Sequence, residues 1–530
     1  MNFRLSRCLG LLALTATAAE SFYQAASSKT YFSNISLYEI GKPTKETFMT
    51  NYRLEERENG WGGSLEVVGY GGKTVNPKKL NSYFMPYGKC SLNVIEGIPT
   101  FPDAVQPADG TTNRDVEARN FNIETVAGAA GDAGSQYQGV ITFNPQQTIA
   151  GIGITWRQTF WRNSHDIPTI WGEISFPIQY VKNEMNLCEN VIKNGGGASD
   201  TIGLDGAQHV ANMRQAFRQD NWLYGKVDNR VKLAKWGVAD VELRIGYNSF
   251  RGECCDLNAY AGIVIPSGTV INQCQAQYLF NSVIGNNHHF GILYGTHFGF
   301  GLYEKGNHDL HMDLDMSSKY LFSNEQWRSF DLVQEGEWSR YLEVYSNLAQ
   351  ATEAEGAVAP LNVNIGTSGI NVFTRKLRVS PRFATNINLC LNYGYKHFDM
   401  EFGYNLWLRQ AEKVEFPRNC CIDFPLTIAV KDINGSGGTN LARTIKNDFP
   451  ASVTPLAEYA NNIIQLSDLN LDSAAHPATL SNTLYAGVCY NSKCLLTIPW
   501  FFGVVGMYEF CSMNTSLDRW NLLAKFGISY

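Results

Sequence analysis

The chain has 530 residues, which is enough for two or three ordinary soluble domains. Aromatic residues make up 12% of it, glycine occupies 48 positions, charged residues account for only 17%, and the mean hydropathy is −0.21. The chain is therefore rich in rings without being apolar overall, as expected when apolar and polar positions alternate. A net charge of −6 excludes the basic footprint of a nucleic-acid-binding protein, so we expect no nucleic-acid partner.

The first nineteen residues have the pattern of an export signal. Arg4 and Arg7 precede a short apolar core at residues 9–19, and small residues at 16–19 offer a cleavage site. We therefore predict a signal peptide at residues 1–19. No later segment has the roughly 18 uninterrupted apolar residues that a spanning helix needs. Because only helices and closed sheets satisfy every backbone group in hydrocarbon, such a chain is either released or inserted as a barrel.

Residues 20–60 are weakly patterned, and we predict a periplasmic N-terminal segment or a plug there. From residue 61 onwards, alternation of apolar and polar residues predicts a series of strands. These are residues 61–70, 116–125, 137–143, 152–160, 170–180, 241–247, 260–266, 290–303, 312–322, 387–393, 398–408, 483–490, 496–510 and 522–530, of which the first two are the weakest. The sequence thus predicts an all-β fold, a transmembrane antiparallel β-barrel of about 14 strands (roughly 12–16) over residues 61–530.

Long and short connectors alternate between the predicted strands. Outer-membrane barrels have short periplasmic turns and long outer loops, so both termini are predicted to be periplasmic. Two of the long outer loops contain short stretches with helical spacing, at residues 211–222 and 455–466. Such helices could constrict the pore or cap it from outside.

The last predicted strand carries apolar residues at every second position and closes on an aromatic residue. Leu522, Ala524, Phe526, Ile528 and Tyr530 point one way in this pattern. The strand resembles the assembly signal of bacterial outer-membrane β-barrels, the porins among them. The resemblance implies a bacterial outer-membrane location, with the membrane lipid and the barrel assembly machinery as partners, and it makes Phe526, Ile528 and Tyr530 the candidate signal residues.

The opposite faces of the strands carry charged residues of both signs. The pore-lining candidates are Arg157, Glu173, Glu242, Arg244, Asp313, Asp315, Lys319, Asp399, Glu401 and Arg409. The same alternation places Glu509 and Lys525 on the inner face. A lining of mixed charge favours passive diffusion of small hydrophilic solutes, with a weak preference for cations. Our main prediction is a porin-like channel that is not an enzyme and needs no cofactor.

Three other interpretations stay open. Residues 262–268 resemble the G-x-x-x-P-T-G strand end of aromatic and fatty-acid transport barrels, with Ser267 in place of Thr, which favours a plugged barrel for hydrophobic small molecules. Of twelve cysteines, Cys8 falls in the signal peptide and eleven remain, an odd number. Loop-pinning disulfides are expected in an oxidising compartment. A disulfide-linked structural or adhesive surface barrel, which could form a homo-oligomer, is thus the second alternative, and a soluble secreted all-β protein is the third.

Two clusters suggest chemistry, and neither predicts a site. Asp309, His311, Asp313 and Asp315 share one strand face, but residues two apart in a strand are separated by about 6.6 to 6.8 Å. Only neighbours could therefore share an ion, and a polar pore lining is the favoured interpretation. Ser473 and His476 could supply a nucleophile and a base, but no oxyanion site accompanies them. Since no nucleophile elbow, phosphate loop or dinucleotide fingerprint is present, we predict neither catalytic residues nor a metal.

Overall fold

The computed structural model describes the chain in separate ranges. These are residues 28–32, 62–95, 115–123, 137–162, 168–195, 205, 207–251, 255–333, 335–345, 366–417, 427–428, 464–492, 498–511 and 517–530.

The largest element is an antiparallel sheet of thirteen strands, twelve of which close into a barrel. The barrel strands are β1 (Gly63–Thr74), β2 (Gln146–Arg162), β3 (Pro168–Glu184), β4 (Val241–Arg251), β5 (Cys255–Ile265), β6 (Gly291–Lys305), β7 (His308–Leu321), β8 (Arg382–Tyr395), β9 (Phe398–Arg409), β10 (Thr479–Asn491), β11 (Trp500–Cys511) and β12 (Arg519–Ser529). Each strand pairs with the next along the chain, and β12 pairs with β1. The predicted fold class is confirmed, with a strand number slightly below the predicted fourteen.

Two predicted strands lie outside the barrel wall. Val116–Glu117 and Gln138–Thr142 join Leu92–Ile95 and Cys188–Lys193 in a separate four-stranded sheet. Alternation arises in any strand that has one buried face, so it could not tell these strands from barrel strands. The thirteenth strand of the large sheet, Leu233–Val238, pairs with β3 beyond the point where β4 leaves it.

Connector length alternates around the barrel. At one end the turns span residues 163–167, 252–254, 306–307, 396–397 and 492–499, and Gly63 and Tyr530 lie at this end too. At the other end the connectors span residues 75–145, 185–240, 266–290, 322–381 and 410–478, with a shorter one at 512–518. We call these the short-connector end and the long-connector end.

The long connectors fold together into a second body, which we call the cap. Its described residues contain three short helices, α1 (Pro77–Phe84), α2 (Met213–Ala216) and α3 (Gly369–Val372). Its 3₁₀ turns are Pro86–Gly88, Ala118–Phe121, Ser339–Tyr341, Leu466–Asp468 and Leu471–Ala474. Besides the four-stranded sheet it holds three small sheets: Asn324–Ser329 with Thr374–Ser380 and Lys413–Glu415; Asp331–Leu332 with Leu469–Asn470; and Thr367–Ser368 with Glu343–Tyr345 and Thr427–Ile428.

The helix predicted at residues 211–222 is reduced to α2, four residues long. The Asn212 side chain caps it by accepting a hydrogen bond from the Gln215 amide at 3.0 Å. Phe217 and Trp222, which follow it, are buried in the core of the cap, with ring centroids 5.8 Å apart. Residues 455–463 of the other predicted helix lie outside the described residues.

The cap has its own hydrophobic core, drawn from all five long connectors. Tyr83, Phe217, Phe280, Trp338 and Leu469 are one buried member from each. Aromatic rings dominate it. The rings of Trp222 and Tyr341, for example, stack with centroids 5.2 Å apart.

Two searches of the described residues gave negative results. No helix among them is long and apolar enough to cross a bilayer. The structure describes the side chains of six cysteines, and all six are free thiols: Cys90, Cys188, Cys255, Cys274, Cys390 and Cys489. The predicted loop-pinning disulfides are therefore not seen in the described part of the chain.

Candidate functional site: the bore of the barrel

The barrel wall has two chemically different faces. In β12 the side chains of Leu522 and Phe526 are exposed on the outside, whereas Leu523 and Lys525 point inward and are buried. Other strands repeat the pattern, with large exposed apolar residues outside. An apolar exterior that alternates with a different interior is the arrangement of a membrane-spanning barrel.

All ten predicted pore-lining residues lie on the inner face. Nine of them are at most 9% exposed: Glu173, Glu242, Arg244, Asp313, Asp315, Lys319, Asp399, Glu401 and Arg409. Arg157 is half-buried, with its guanidinium 3.7 Å from the centre of the Trp171 ring. Side chains that line a water-filled pore would be exposed, so the expected open aqueous channel does not describe this conformation.

A buried network of charges spans part of the bore. Arg244 on β4 contacts Glu173 on β3 at 2.9 Å and also pairs with Glu242 on its own strand. Lys319 on β7 reaches the same Glu242 at 2.9 Å. Since β5 and β6 lie between β4 and β7 along the wall, the last pair spans the inner surface of these two strands. Buried charges of this kind require partners, and here each negative group has a positive one.

A second polar group lies on the same side, over β5 to β7. The Nε2 atom of His297 is 3.4 Å from Asp313 and 3.7 Å from Asp256, and its Nδ1 atom is 3.9 Å from Asp315. No cluster of His, Cys, Asp or Glu fit to hold a metal ion occurs within the described ranges. We call the residues of β3 to β7 that form these two groups the charged wall: Glu173, Glu242, Arg244, Asp256, His297, Asp313, Asp315 and Lys319.

The other side of the bore, formed by β10 to β12 and β1, is largely apolar. Val505, Leu523 and Tyr70 lie directly opposite one another across three neighbouring strands. Tyr485 and Met507 form the next pair towards the long-connector end. We call this surface the apolar wall: Val68, Tyr70, Tyr485, Val505, Met507 and Leu523, each at most 6% exposed. Because β5 and β11 are six strands apart in a ring of twelve, the apolar wall faces the charged wall.

The apolar wall is interrupted by Lys525, whose ammonium group lies 3.5 Å from Glu66 on β1. At its long-connector end, Glu509 pairs with Arg519 and accepts a hydrogen bond from Ser481 at 2.6 Å. Sequence analysis placed Lys525 and Glu509 on the inner face but missed Glu66, because β1 was one of its two weakest strands.

Five aromatic rings lie flat on the inner wall, each against a glycine of the neighbouring strand. The pairs are Tyr70 with Gly151, Trp171 with Gly246, Tyr260 with Gly295, Tyr485 with Gly403, and Phe501 with Gly527. In every pair the two residues are directly opposite in register. A Cβ at any of these glycines would overlap the ring, so only glycine allows the ring to lie along the wall instead of across the bore. Bore-facing glycines opposite aromatic residues were the signal that sequence analysis overlooked.

At the junction of barrel and cap, Glu412 holds two cations. Arg409 at the end of β9 lies 2.6 Å from its carboxylate and Arg328 lies 3.4 Å away, while the His476 amide donates to it at 2.9 Å. Burial alone would raise the pKa of Glu412, but Arg328 and Arg409 outweigh it and lower the pKa to about 2. Burial, with Arg409 adding to it, lowers the pKa of His476 to about 3. Glu412 is therefore ionised and His476 neutral at pH 7.

The Ser473 and His476 pair is not arranged for catalysis. The Ser473 hydroxyl donates to the Asn470 carbonyl at 2.6 Å and accepts from the Asp331 amide at 2.6 Å. His476 uses its Nδ1 atom to contact the Pro477 carbonyl at 2.9 Å. Both side chains thus fix the local chain path.

The candidate assembly residues lie on or near the outer face of β12. Phe526 is exposed, and Tyr530 closes the seam of the barrel by exchanging two backbone hydrogen bonds of 2.9 Å with Gly63. The Trp156 indole donates to the Tyr530 hydroxyl at 2.6 Å from the next strand but one. Ile528 is half-buried and pairs with Leu65 and Trp500.

Comparison with known proteins gives similarity of architecture. No family model and no curated protein matches the chain. Among solved structures, an outer-membrane channel from Pseudomonas putida F1 is 7% identical, with 89% of this chain and 97% of that chain covered and a TM-score of 0.35. A FadL homologue from Pseudomonas aeruginosa is 8% identical, with 95% and 99% covered and a TM-score of 0.29. A toluene transporter from Ralstonia pickettii is 8% identical, with 91% and 92% covered and a TM-score of 0.23. Scores this low assign no function.

Proposed function

We propose that this protein is an outer-membrane channel for small apolar or weakly polar molecules, and that the conformation described here is its closed state. The apolar wall is the observation that carries the proposal. A hydrated ion gains nothing from an apolar surface inside a pore, whereas an apolar solute that leaves water for such a surface is stabilised by roughly 25 cal/mol for each Å² it buries. This favours the hydrophobic-substrate alternative over the hydrophilic porin.

The charged wall supports a closed state. The Glu242–Lys319 pair links β4 to β7 on the inner side of the barrel, and both side chains are at most 6% exposed. A hydrophilic solute would have to separate these charges and replace each partner, which is costly in a buried site. A molecule that moves along the apolar wall leaves the network intact.

In the proposed orientation, the long-connector end and the cap face the outside of the cell. Outer-membrane barrels place short turns and long loops in this way. Gly63 and Tyr530, at the short-connector end, would then lie on the periplasmic side. The proposal involves no catalytic step and no cofactor, and its partners are the outer-membrane lipid and the machinery that assembles barrels.

Uptake and conductance together test the proposal. We expect purified protein in planar bilayers to show no steady ohmic steps. In vesicles with a lipopolysaccharide outer leaflet, we expect it to speed entry of a small aromatic probe such as indole. Leu523→Gln should reduce that rate about tenfold, because the amide interrupts the apolar wall, whereas Leu523→Met should keep it.

Other results would support the alternatives. Steady ohmic conductance of the wild type, with probe entry indifferent to Leu523→Gln, would replace the proposal by the hydrophilic porin. Absence of both ion conductance and probe entry, together with inter-chain disulfides on a non-reducing gel, would favour a structural or adhesive surface barrel. Lys319→Met serves as a further check, since removal of the Glu242–Lys319 pair should increase ion conductance if the charged network closes the bore.

A further inference from the structure

Five residues that precede the barrel in the chain are embedded in the cap. Ser28, Lys29 and Phe32 are at most 6% exposed. Strand β1 begins at Gly63 at the short-connector end, yet this segment lies at the long-connector end, among residues of the cap. We call residues 28–32 the clasp.

The backbone of the clasp is held like a bound peptide. The Lys29 amide donates to the Tyr83 carbonyl at 2.9 Å, and the Tyr83 hydroxyl donates to the Tyr31 carbonyl at 2.8 Å. The Arg340 guanidinium donates to the Ser28 carbonyl at 2.6 Å. Buried backbone groups need such partners, and the cap supplies them from two different connectors.

Each of these side chains of the clasp contacts a different part of the cap. Lys29 donates through Nζ to the Asp472 carbonyl at 2.7 Å, and the Ser28 hydroxyl donates to the Phe84 carbonyl at 2.6 Å. The Arg328 guanidinium covers the Tyr31 ring at 3.4 Å. The contacting residues, Phe84, Arg328 and Asp472, lie on the connectors at residues 75–145, 322–381 and 410–478.

Phe32 is surrounded by aromatic rings of the cap. Its ring meets those of Tyr83, Phe280 and His476 edge-on, with centroid distances of 5.3, 5.6 and 5.7 Å. Phe280 adds the connector at residues 266–290, so the clasp joins four of the five long connectors. Without it, the cap would have a vacant aromatic pocket and several unpaired backbone groups between segments that are distant in sequence.

We propose that the cap contains a peptide-binding site, that residues 28–32 occupy it as a ligand within the same chain, and that release of this clasp loosens the cap. The site selects an extended peptide with a lysine at its second position and an aromatic ring at its fifth. The site itself does not depend on the proposed transport function. Only the consequence that a loosened cap uncovers the bore rests on that function.

The experiment uses the full chain, assembled in detergent, with residues 28–32 replaced by a flexible Gly/Ser sequence of equal length. We expect protease cleavage within the cap to become at least tenfold faster, while the heat-dependent gel shift of the folded barrel is unchanged. A synthetic peptide of residues 27–33, added in trans, should restore protection in a saturable manner. The same peptide with Lys29→Met and Phe32→Ala should not.

Point variants keep the test decisive if the replaced chain fails to assemble. Phe32→Ala should accelerate cleavage of the cap, whereas Thr30→Ala should not, because Thr30 is only half-buried. Unchanged protection in both the replaced chain and Phe32→Ala would overturn the proposal, as would equal rescue by a peptide of scrambled sequence. Since protection is measured without any transport, failure of the proposed function would leave this result intact.

Discussion

In the barrel, each strand pairs with its neighbour along the chain, whereas the cap core gathers residues from five connectors that are hundreds of positions apart. The barrel wall repeats one local rule, a side chain inward and the next outward. The cap has no such rule. Its core residues, such as Tyr83, Phe217 and Trp338, have in common only that they are buried in the same hydrophobic core. We therefore expect the two regions to respond separately to mutation, with the cap able to open while the barrel stays closed.

Among the substitutions, the largest effect is expected where a buried charge in the cap loses its partner. Asp331 accepts hydrogen bonds from the Arg340 Nε at 2.8 Å and from the Arg340 amide at 3.0 Å, and Arg340 is fully buried. Asp331→Ala should destabilise the cap by about 3–5 kcal/mol, because it leaves an uncompensated guanidinium. Hydrogen exchange should rise in peptides of the cap and stay constant in the barrel strands.

The matched control is an exposed ion pair on the cap. Glu325 and Lys376 have side chains that are 47% and 55% exposed. Glu325→Ala should change stability by less than about 0.5 kcal/mol, since exposed pairs contribute little. Exchange that rises equally in barrel and cap after Asp331→Ala would show that the two regions unfold together.

Acid should also separate the two regions. Burial lowers the pKa of His476 to about 3 and that of His289 to about 4, so between those values and about 6.5 only the unfolded state binds these protons. Stability of the cap should therefore fall as the pH falls from 6.5 to 4, by about 1.4 kcal/mol for each pKa unit traversed. Burial also lowers the pKa of Lys29 to about 7, which adds a further rise in stability from pH 7 to 10.5.

Protease protection of the cap across this range measures the effect, with His476→Leu as the comparison. The stability of the variant's cap should depend less steeply on pH between 6.5 and 4, because one of the two histidines with a lowered pKa is gone. Protection that increases as the pH falls from 6.5 to 4 would contradict the assignment of neutral, buried imidazoles.

A smaller effect is expected in the bore. Gly403→Ala places a methyl group where the Tyr485 ring lies, so the ring must lift into the bore at a cost of about 1–3 kcal/mol. Gly506→Ala is the matched control, because a Cβ there points outward and meets nothing within 4 Å. Urea titration of the heat-dependent gel shift should lower the midpoint for Gly403→Ala alone. Equal midpoints would mean that the ring has another place to lie.

The smallest effect is expected at the barrel seam. Tyr530→Phe removes the hydroxyl that accepts from the Trp156 indole at 2.6 Å. The group is exposed, so the loss should be about 1 kcal/mol or less, and it should reduce barrel stability without altering protection of the cap. A larger loss, or slower assembly at equal stability, would give Tyr530 a part in recognition by the assembly machinery.

Much of the barrel was predictable, because the pattern that marks a strand is local. In β7, β9 and β12 the alternation gave both the strand and the face of Asp313, Glu401 and Lys525. The same locality explains the error at residues 116–125 and 137–143, where alternation reflects burial in the cap. The inward position of the charged residues could be predicted, but their pairing could not, since Glu242 and Lys319 meet only when the sheet curves over β5 and β6.

The cap and the clasp could not be predicted from pattern. Phe32, Phe280 and His476 are brought together by connectors that have no period and few regular elements. Their helices are four to eight residues long, below the length at which helical spacing is a reliable signal. The free thiols of Cys390 and Cys489, both inside the barrel, show likewise that cysteine number indicates neither pairing nor position.

The pairing of β1 with β12 has a consequence for biogenesis. Every other strand pairing in the barrel joins strands that follow one another along the chain, but Gly63 and Tyr530 are joined across nearly the whole barrel chain. Until that last pairing forms, two rows of backbone donors and acceptors have no partner, and hydrocarbon cannot supply one. The polypeptide must therefore be held in a protected, water-accessible state until its final strand has been delivered, so that insertion and ring closure become a single late event.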